Sequence, residues 1–160
     1  MLMQNNFEKI LNHWHNREDI PSNTLADIYD GRIWNEFKDD SGNKFFIKET
    51  FEGRLGFSLN IDWFCPYKHV QYSVGAIYLS ILNLPRELRY LKENIMFVGL
   101  IPGPHEPSVD YIYKYLEPLV EELRQLWFGK LFITRDYPIG KIYKGVLILV
   151  SCDIPAGRKV

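Results

Sequence analysis

Two segments of the chain, Leu55–Asp62 (LGFSLNID) and Gly145–Asp153 (GVLILVSCD), have the patterns of β-strands, and each of them ends in an aspartate. In the first segment apolar and polar residues alternate, which predicts one buried face and places Asn60 and Asp62 together on the other face. The second segment contains the continuous apolar run 146–150, which is typical of a strand covered on both faces. The two segments therefore predict a sheet whose strands carry carboxylates at their ends.

Three further segments complete the predicted core. Residues 72–82 and 95–101 are apolar runs bounded by turn residues and predict two more strands. Apolar residues recur at helical spacing over 108–128, so we predict a long helix there, with Ser108 as its N-cap. Pro118 lies inside this segment and is expected to kink the helix or to split it in two.

The order of these segments predicts the topology of the sheet. Short connections between the first three strands suit an antiparallel meander, and a long helix before the last strand suits a right-handed crossover. The crossover places the last strand parallel to the first, at a distance of about 4.8 Å. The predicted fold class is therefore α/β, a mixed sheet with the order β-β-β-α-β, in which Asp62 and Asp153 converge.

Residues 1–50 are predicted to form a small helical region in front of the core, and the core itself is placed at residues 51–160. Apolar residues at helical spacing indicate an amphipathic helix over 5–16. A second short helix is expected shortly after it, and Ser22 or Asn23 is its candidate N-cap. The chain is thus expected to have a helical pre-core region followed by one α/β core.

Composition limits the possible partners. The net charge of −1 and the pI near 6.4 exclude a basic footprint over the whole chain, so a DNA contact needs a local patch such as Arg158 and Lys159. The two cysteines, Cys65 and Cys152, are too few for a disulfide framework or a zinc-ligand set, and buried free thiols in an intracellular protein are expected. No apolar run is long enough to cross a bilayer, and no membrane partner is expected.

The pair of aspartates has two interpretations from the residue pattern alone. Magnesium takes oxygen ligands, usually one or two carboxylates together with substrate phosphate, and two such ions about 4 Å apart serve phosphoryl transfer. Asp62 and Asp153 on adjacent strands suit such a site, although a third acid is usually needed for the second ion. An aspartate at a strand end is more often a turn or capping residue, so both interpretations stand at this point.

Other charged residues point more weakly to function. Arg86, Arg89 and Lys92 lie at helical spacing, which is more typical of a solvated face than of a DNA-binding stripe. His13 and His15 lie two positions apart and do not share a helical face, so a two-histidine metal site is not expected.

Several motifs, spread in order over roughly residues 25–160, resemble the transposases of En/Spm-type CACTA elements, and those of fungal genomes in particular. The motifs are Asp27–Trp34 (DIYDGRIW), Leu59–Pro66 (LNIDWFCP), Ser73–Leu82 (SVGAIYLSIL), Asn83–Tyr90 (NLPRELRY), Glu93–Pro107 (ENIMFVGLIPGPHEP), Leu116–Trp127 (LEPLVEELRQLW) and Cys152–Val160 (CDIPAGRKV).

The resemblance implies an RNase H-like fold with a DDE-type catalytic centre that cleaves and transfers DNA strands at transposon ends in the nucleus. It implies that Asp62 and Asp153 are the first two catalytic acids and ligands of Mg²⁺ or Mn²⁺. The third acid lies much later in that family and has no counterpart here. We therefore expect an incomplete, truncated RNase H-like core that is inactive alone.

Two alternatives accompany this expectation. The chain could be a non-catalytic module that binds DNA or a full-length transposase, or a decayed reading frame without function. An RNase H-like sheet normally has a further strand beyond the last one predicted here, so residues 146–150 would form an apolar edge. We expect this edge to aggregate, to mediate self-association, or to be covered by the N-terminal helices.

Overall fold

The computed structural model of the chain describes residues 6–17, 21 and 24–152. This part of the chain forms one mixed five-stranded sheet with the order β3-β2-β1-β5-β4. The strands are β1 (Gly53–Phe64), β2 (Val74–Ile81), β3 (Ile95–Ile101), β4 (Lys130–Phe132) and β5 (Lys141–Cys152). The helices are α1 (Phe7–Leu11), α2 (Arg32–Glu36), α3 (Arg86–Arg89) and α4 (Val109–Phe128), with short 3₁₀ turns at His13–Asn16, Ile28–Asp30 and Lys92–Asn94.

The pairing of the strands confirms the predicted topology. β1 pairs antiparallel with β2, and β2 pairs antiparallel with β3, which is the expected meander. β5 follows α4 and lies parallel to β1. The predicted strand order did not include the short strand β4, although an extended piece was expected from residue 131; β4 pairs antiparallel with the beginning of β5 and makes the order β-β-β-α-β-β.

One face of the sheet packs against α4. The odd-numbered residues of β1, from Leu55 to Ile61, are buried there together with Ile112, Leu116 and Leu126 of α4. β5 approaches this helix closely at Gly145, where an added Cβ would lie 2.6 Å from both Leu126 Cδ2 and Phe57 Cε2. The period-two pattern of β1 is therefore the pattern of a strand with one face under a helix.

The opposite face is covered over part of its length by the N-terminal region. Buried side chains from the segments before β1, together with Leu82 directly after β2, form a largely aromatic cluster, which packs against Val146 and Ile148 of β5. The buried members are Trp14, Tyr29, Trp34, Phe45, Phe46 and Leu82. Two-sided cover explains why the middle of β5 reads as a continuous apolar run.

The parallel pair contains a β-bulge. Phe57 lies opposite Leu147, but the next residue of β1, Ser58, lies opposite Leu149, so that Ile148 is an additional residue in β5. After this shift Ile61 lies opposite Cys152. The bulge therefore sets which residues of the two strands are neighbours at their C-terminal ends.

Helix α4 runs unbroken from Val109 to Phe128 and includes Pro118, so the predicted split into two helices is wrong. Ile112 and Leu116 before the proline and Leu126 after it are all buried in the same core cluster, so both halves of the helix pack on the sheet. Whether the axis is kinked stays a prediction.

Among the described residues, no helix has the length and apolar character needed to span a bilayer.

The outer side of β5 is paired only at its beginning. β4 contacts Lys141–Tyr143, and within the described part of the chain no strand pairs with the outer side of residues 144–152. Leu149 and Val150 are each 42% exposed. The predicted apolar edge at 146–150 is therefore present, and the N-terminal cluster packs on the face of this segment.

Candidate functional site

Asp62 lies within β1 and is not a turn residue. The strand continues to Phe64, and Asp62 is paired across the sheet with Ala76 of β2. Its side chain is exposed, and no hydrogen bond or ion pair joins it to another described residue. The capping interpretation is therefore wrong for Asp62, because a capping carboxylate accepts hydrogen bonds from nearby backbone N–H groups.

Asn60 connects β1 to β5 beside this position. It lies opposite Ser151, and its side-chain Nδ2 donates a hydrogen bond to the Ser151 carbonyl oxygen at 2.9 Å. The sequence placed Asn60 on the same face as Asp62, which suits either a residue that orients the carboxylate or an ordinary polar residue of a strand face. The structure instead shows that Asn60 holds the two strands together just before their ends.

The partner strand β5 ends one residue before the position of Asp62. Cys152 is the last residue of β5 and lies opposite Ile61. In the sequence, Asp62 directly follows Ile61 and Asp153 directly follows Cys152. Asp153 itself lies outside the described residues, as do Arg158, Lys159, Ser22 and Asn23. Among the described residues, no group of three or more His, Cys, Asp or Glu side chains could hold a metal ion.

The surface around Asp62 is open and partly aromatic, a feature that the sequence analysis missed. Tyr78 of β2 lies opposite Asn60, and Phe97 of β3 lies opposite Tyr78. The two rings are 5.7 Å apart between centroids, and Phe97 is 61% exposed. The apolar run of β3 gave no hint of this exposure, because it shows no alternation of apolar and polar residues.

Two expectations about other side chains are wrong. Cys65 is exposed in the segment after β1, where its Sγ donates to the Tyr72 carbonyl oxygen at 3.1 Å, so it is not a buried thiol. Arg89 is buried rather than solvated: its Nη2 lies 2.8 Å from Asp27 Oδ1, and its guanidinium lies over the Tyr29 ring. Arg89 therefore stabilises the packing of the N-terminal region and is not available to DNA.

Comparison with known proteins gives the family of the chain. No curated protein and no solved structure matches the chain significantly. The family described as "Transposase family tnp2" matches residues 22–157, which is most of the chain and includes both predicted acids. The chain therefore belongs to the transposase family tnp2.

Proposed function

We propose that this chain is part of the catalytic core of a DDE-type DNA transposase of the En/Spm (CACTA) kind, with an RNase H-like fold. Asp62 and Asp153 are its proposed catalytic acids and metal ligands. Membership of a transposase family supports DNA as the partner in general. Transposon ends as the specific substrate, and the nucleus as the location, are parts of the proposal.

One observation carries it, namely the register of β1 and β5. The strands are parallel, and the bulge at Ile148 brings Cys152 opposite Ile61. Asp62 and Asp153, the proposed ligands, are the next residues in the sequence after this pair. In a parallel pair, side chains at the same register lie on the same face of the sheet. Without the extra residue Cys152, and not Asp153, would share the register of Asp62.

The order of the strands supports the proposed fold. Three antiparallel strands are followed by a long helix and by a strand that returns parallel beside the first, which is the arrangement expected of an RNase H-like core. Asp62 lies near the C-terminal end of β1, and Asp153 is the residue that follows the last residue of β5 in the sequence. Rigid, paired strands fix the separation of such ligands better than loops do.

The chemistry of Asp62 fits a hard divalent cation. Both carboxylate oxygens are without a partner among the described residues, and the side chain is exposed to solvent, so an ion could bind without displacing an internal contact. Bound there, Mg²⁺ or Mn²⁺ would activate a water or 3′-hydroxyl nucleophile and offset the charge of the phosphate. Asn60 keeps the two strands in register beneath the ligands.

A third carboxylate usually completes a two-ion centre, and the acid that supplies it in the resembling transposases has no counterpart among the residues matched here. We therefore propose that the 160 residues bind the metal through two acids but cleave DNA slowly or not at all by themselves. We propose that another polypeptide segment supplies the third acid.

Metal binding tests the proposal without requiring catalysis. Calorimetric titration with Mn²⁺ should show weak binding that is lost in Asp62→Asn and in Asp153→Asn. Asp110→Asn is the matched control, because Asp110 is an exposed acid at the start of α4 and far along the chain from either ligand. Equal Mn²⁺ binding by Asp62→Asn and Asp110→Asn would remove the metal-site proposal.

The alternative is a non-catalytic module that binds DNA or another transposase chain, and the unpaired outer side of residues 144–152 favours it. Under this alternative Asp62→Asn leaves DNA binding unchanged, or strengthens it through the loss of repulsion from phosphate. Gel-shift measurements at two salt concentrations separate the two functions, because phosphate contacts weaken as salt rises.

A further inference from the structure

A polar cavity lies at the N-terminal end of β1, the end opposite Asp62. It has a volume of about 190 Å³ and is enclosed by the first helical segment, the chain before β1 and the start of β5. Arg54 lines it, and Arg54 precedes Asp62 by eight residues in the same strand, so their backbones lie about 26 Å apart along the strand. The cavity is therefore separate from the proposed metal site.

The buried polar atoms of the cavity residues that lack a partner are all hydrogen-bond donors. The Arg54 side chain is only 10% exposed; its Nη2 binds Glu52 Oε2 at 2.7 Å, while Nε and Nη1 have no acceptor among the described residues. The buried indole Nε1 of Trp14 also lacks an acceptor there. Leaving a buried donor without an acceptor costs about 1–3 kcal/mol, so these residues favour an acceptor-rich ligand.

The charges around the cavity also favour an anionic ligand. Lys48, Arg54 and Lys141 line it; Glu52 pairs with Arg54, and the Glu8 carboxylate lies 2.8 Å from Lys141 Nζ. Lys48 has no ion pair with any residue in the described part of the chain. An excess positive charge therefore stays in the cavity.

The positive charge of the cavity also acts on His15, which lines it. Burial lowers the pKa of His15, and the charges of Lys48 and Lys141 lower it further. At neutral pH the imidazole is therefore uncharged, and it lines the cavity as a neutral hydrogen-bonding group.

We propose that this cavity binds a phosphate-type oxyanion, held by Arg54, Lys48 and Lys141. A tetrahedral oxyanion has several acceptor oxygens and matches donors that arrive from separate segments of the chain: a helix, a loop and two strands. The volume equals that of about six water molecules, which is enough for one phosphate group. The phosphate could be a small-molecule phosphate or a phosphate of the DNA backbone.

Titration with inorganic phosphate tests this site. Wild type should bind phosphate, Arg54→Met should weaken binding about tenfold or more, and Lys48→Gln should weaken it several-fold. Lys44→Gln is the matched control, because Lys44 is an exposed lysine that does not line the cavity. Asp62→Asn should bind phosphate like wild type, so a failed metal site and a failed phosphate site are distinguishable.

His15 provides a readout that does not depend on the folding of an Arg54 variant. Bound phosphate should raise the pKa of His15, as followed by NMR of its imidazole, and this rise should be smaller in Lys48→Gln. An absence of both binding heat and any His15 shift at millimolar phosphate overturns the proposal. The same is true if Lys48→Gln and Lys44→Gln bind phosphate equally.

A duplex oligonucleotide identifies the source of the phosphate. If the cavity receives DNA backbone phosphate, inorganic phosphate competes with the duplex, and Lys48→Gln weakens both. If it receives a small molecule, duplex binding is insensitive to Lys48→Gln while phosphate binding still weakens. Both results support an oxyanion site, and binding of neither ligand contradicts it.

Discussion

The side-chain amide of Asn60 donates a hydrogen bond to the carbonyl oxygen of Ser151 at 2.9 Å, and so joins β1 to β5 two residues before each proposed metal ligand. The bond crosses between two strands that are far apart in sequence. It lies where the outer side of β5 has no partner strand among the described residues. Asn60 is therefore a positioning residue for the proposed site rather than a ligand.

Replacing this amide should loosen the end of the parallel pair. We expect Asn60→Ala to lower the free energy of unfolding by about 1 kcal/mol and to weaken Mn²⁺ binding several-fold, because the separation of the two acids is less well fixed. Denaturant unfolding and calorimetry measure the two effects.

The control for Asn60→Ala is Asn35→Ala. The Asn35 amide donates to the Tyr29 and Gly31 carbonyl oxygens, so its loss removes comparable hydrogen bonds in the N-terminal region. Asn35→Ala should destabilise the fold without changing Mn²⁺ binding. If both variants weaken Mn²⁺ binding equally, the loss in Asn60→Ala results from lower overall stability and not from the positioning of the two acids.

The buried pair of Arg89 and Asp27 should be essential to the fold. Arg89→Ala leaves the Asp27 carboxylate buried without its cation and should lower the free energy of unfolding by about 3 kcal/mol. Arg86→Ala, three residues earlier on the exposed side of the same helix, should cost less than about 0.5 kcal/mol. Urea denaturation compares the two, and similar losses would show that Arg89 is not the structural residue described above.

Stability should fall at alkaline pH because of Tyr29. Its hydroxyl donates to the Leu82 and Leu84 carbonyl oxygens, and burial raises its pKa to about 12. The unfolded chain ionises this phenol near pH 10, whereas the folded chain keeps it protonated. The stabilisation is therefore complete below about pH 10 and is lost as the pH rises from about 10 to about 12.

Urea unfolding at about pH 9 and about pH 11 measures this fall. Tyr29→Phe should be less stable than wild type at the lower pH, through the lost hydrogen bonds, but should lose less stability between the two. Tyr111→Phe, at an exposed tyrosine of α4, should show the same fall as wild type. If Tyr29→Phe loses as much stability between the two pH values as wild type does, groups other than Tyr29 cause the alkaline instability.

The outer side of β5 should mediate self-association. Leu149→Lys places a charge on the exposed, unpaired end of this strand and should shift the chain towards monomer, because edge charges oppose strand pairing between molecules. Ile139→Lys is the control, since Ile139 is 95% exposed and lies outside the strand. Sedimentation velocity distinguishes them, and a wild type that is monomeric at all concentrations would exclude association through this edge.

Much of the core could be predicted from the sequence because its patterns are local. The alternation from Leu55 to Ile61 and the helical spacing of Ile112, Leu116 and Leu126 each reflect one buried face, and the structure shows both. The parallel placement of β5 followed from the length of the crossover.

The missed features depend on contacts between distant segments. The bulge at Ile148 is a matter of register between two strands, and an apolar run carries no sign of it. Arg89 looked like a solvated residue because Asp27, its partner, lies 62 positions away. β4 has only three residues and forms only because β5 lies beside it. The proposed oxyanion cavity could not be predicted for the same reason, because its donors come from several segments that are distant in sequence.

Paramagnetic relaxation by Mn²⁺ tests the proposed metal site most directly. In ¹⁵N-labelled protein, Mn²⁺ should broaden the amide signals at the C-terminal ends of β1 and β5 together, around residues 60–64 and 150–152, and spare Arg54 at the far end of β1. Either Asp62→Asn or Asp153→Asn alone should abolish the broadening on both strands. Broadening confined to one strand, or unchanged in either variant, would contradict a shared metal site.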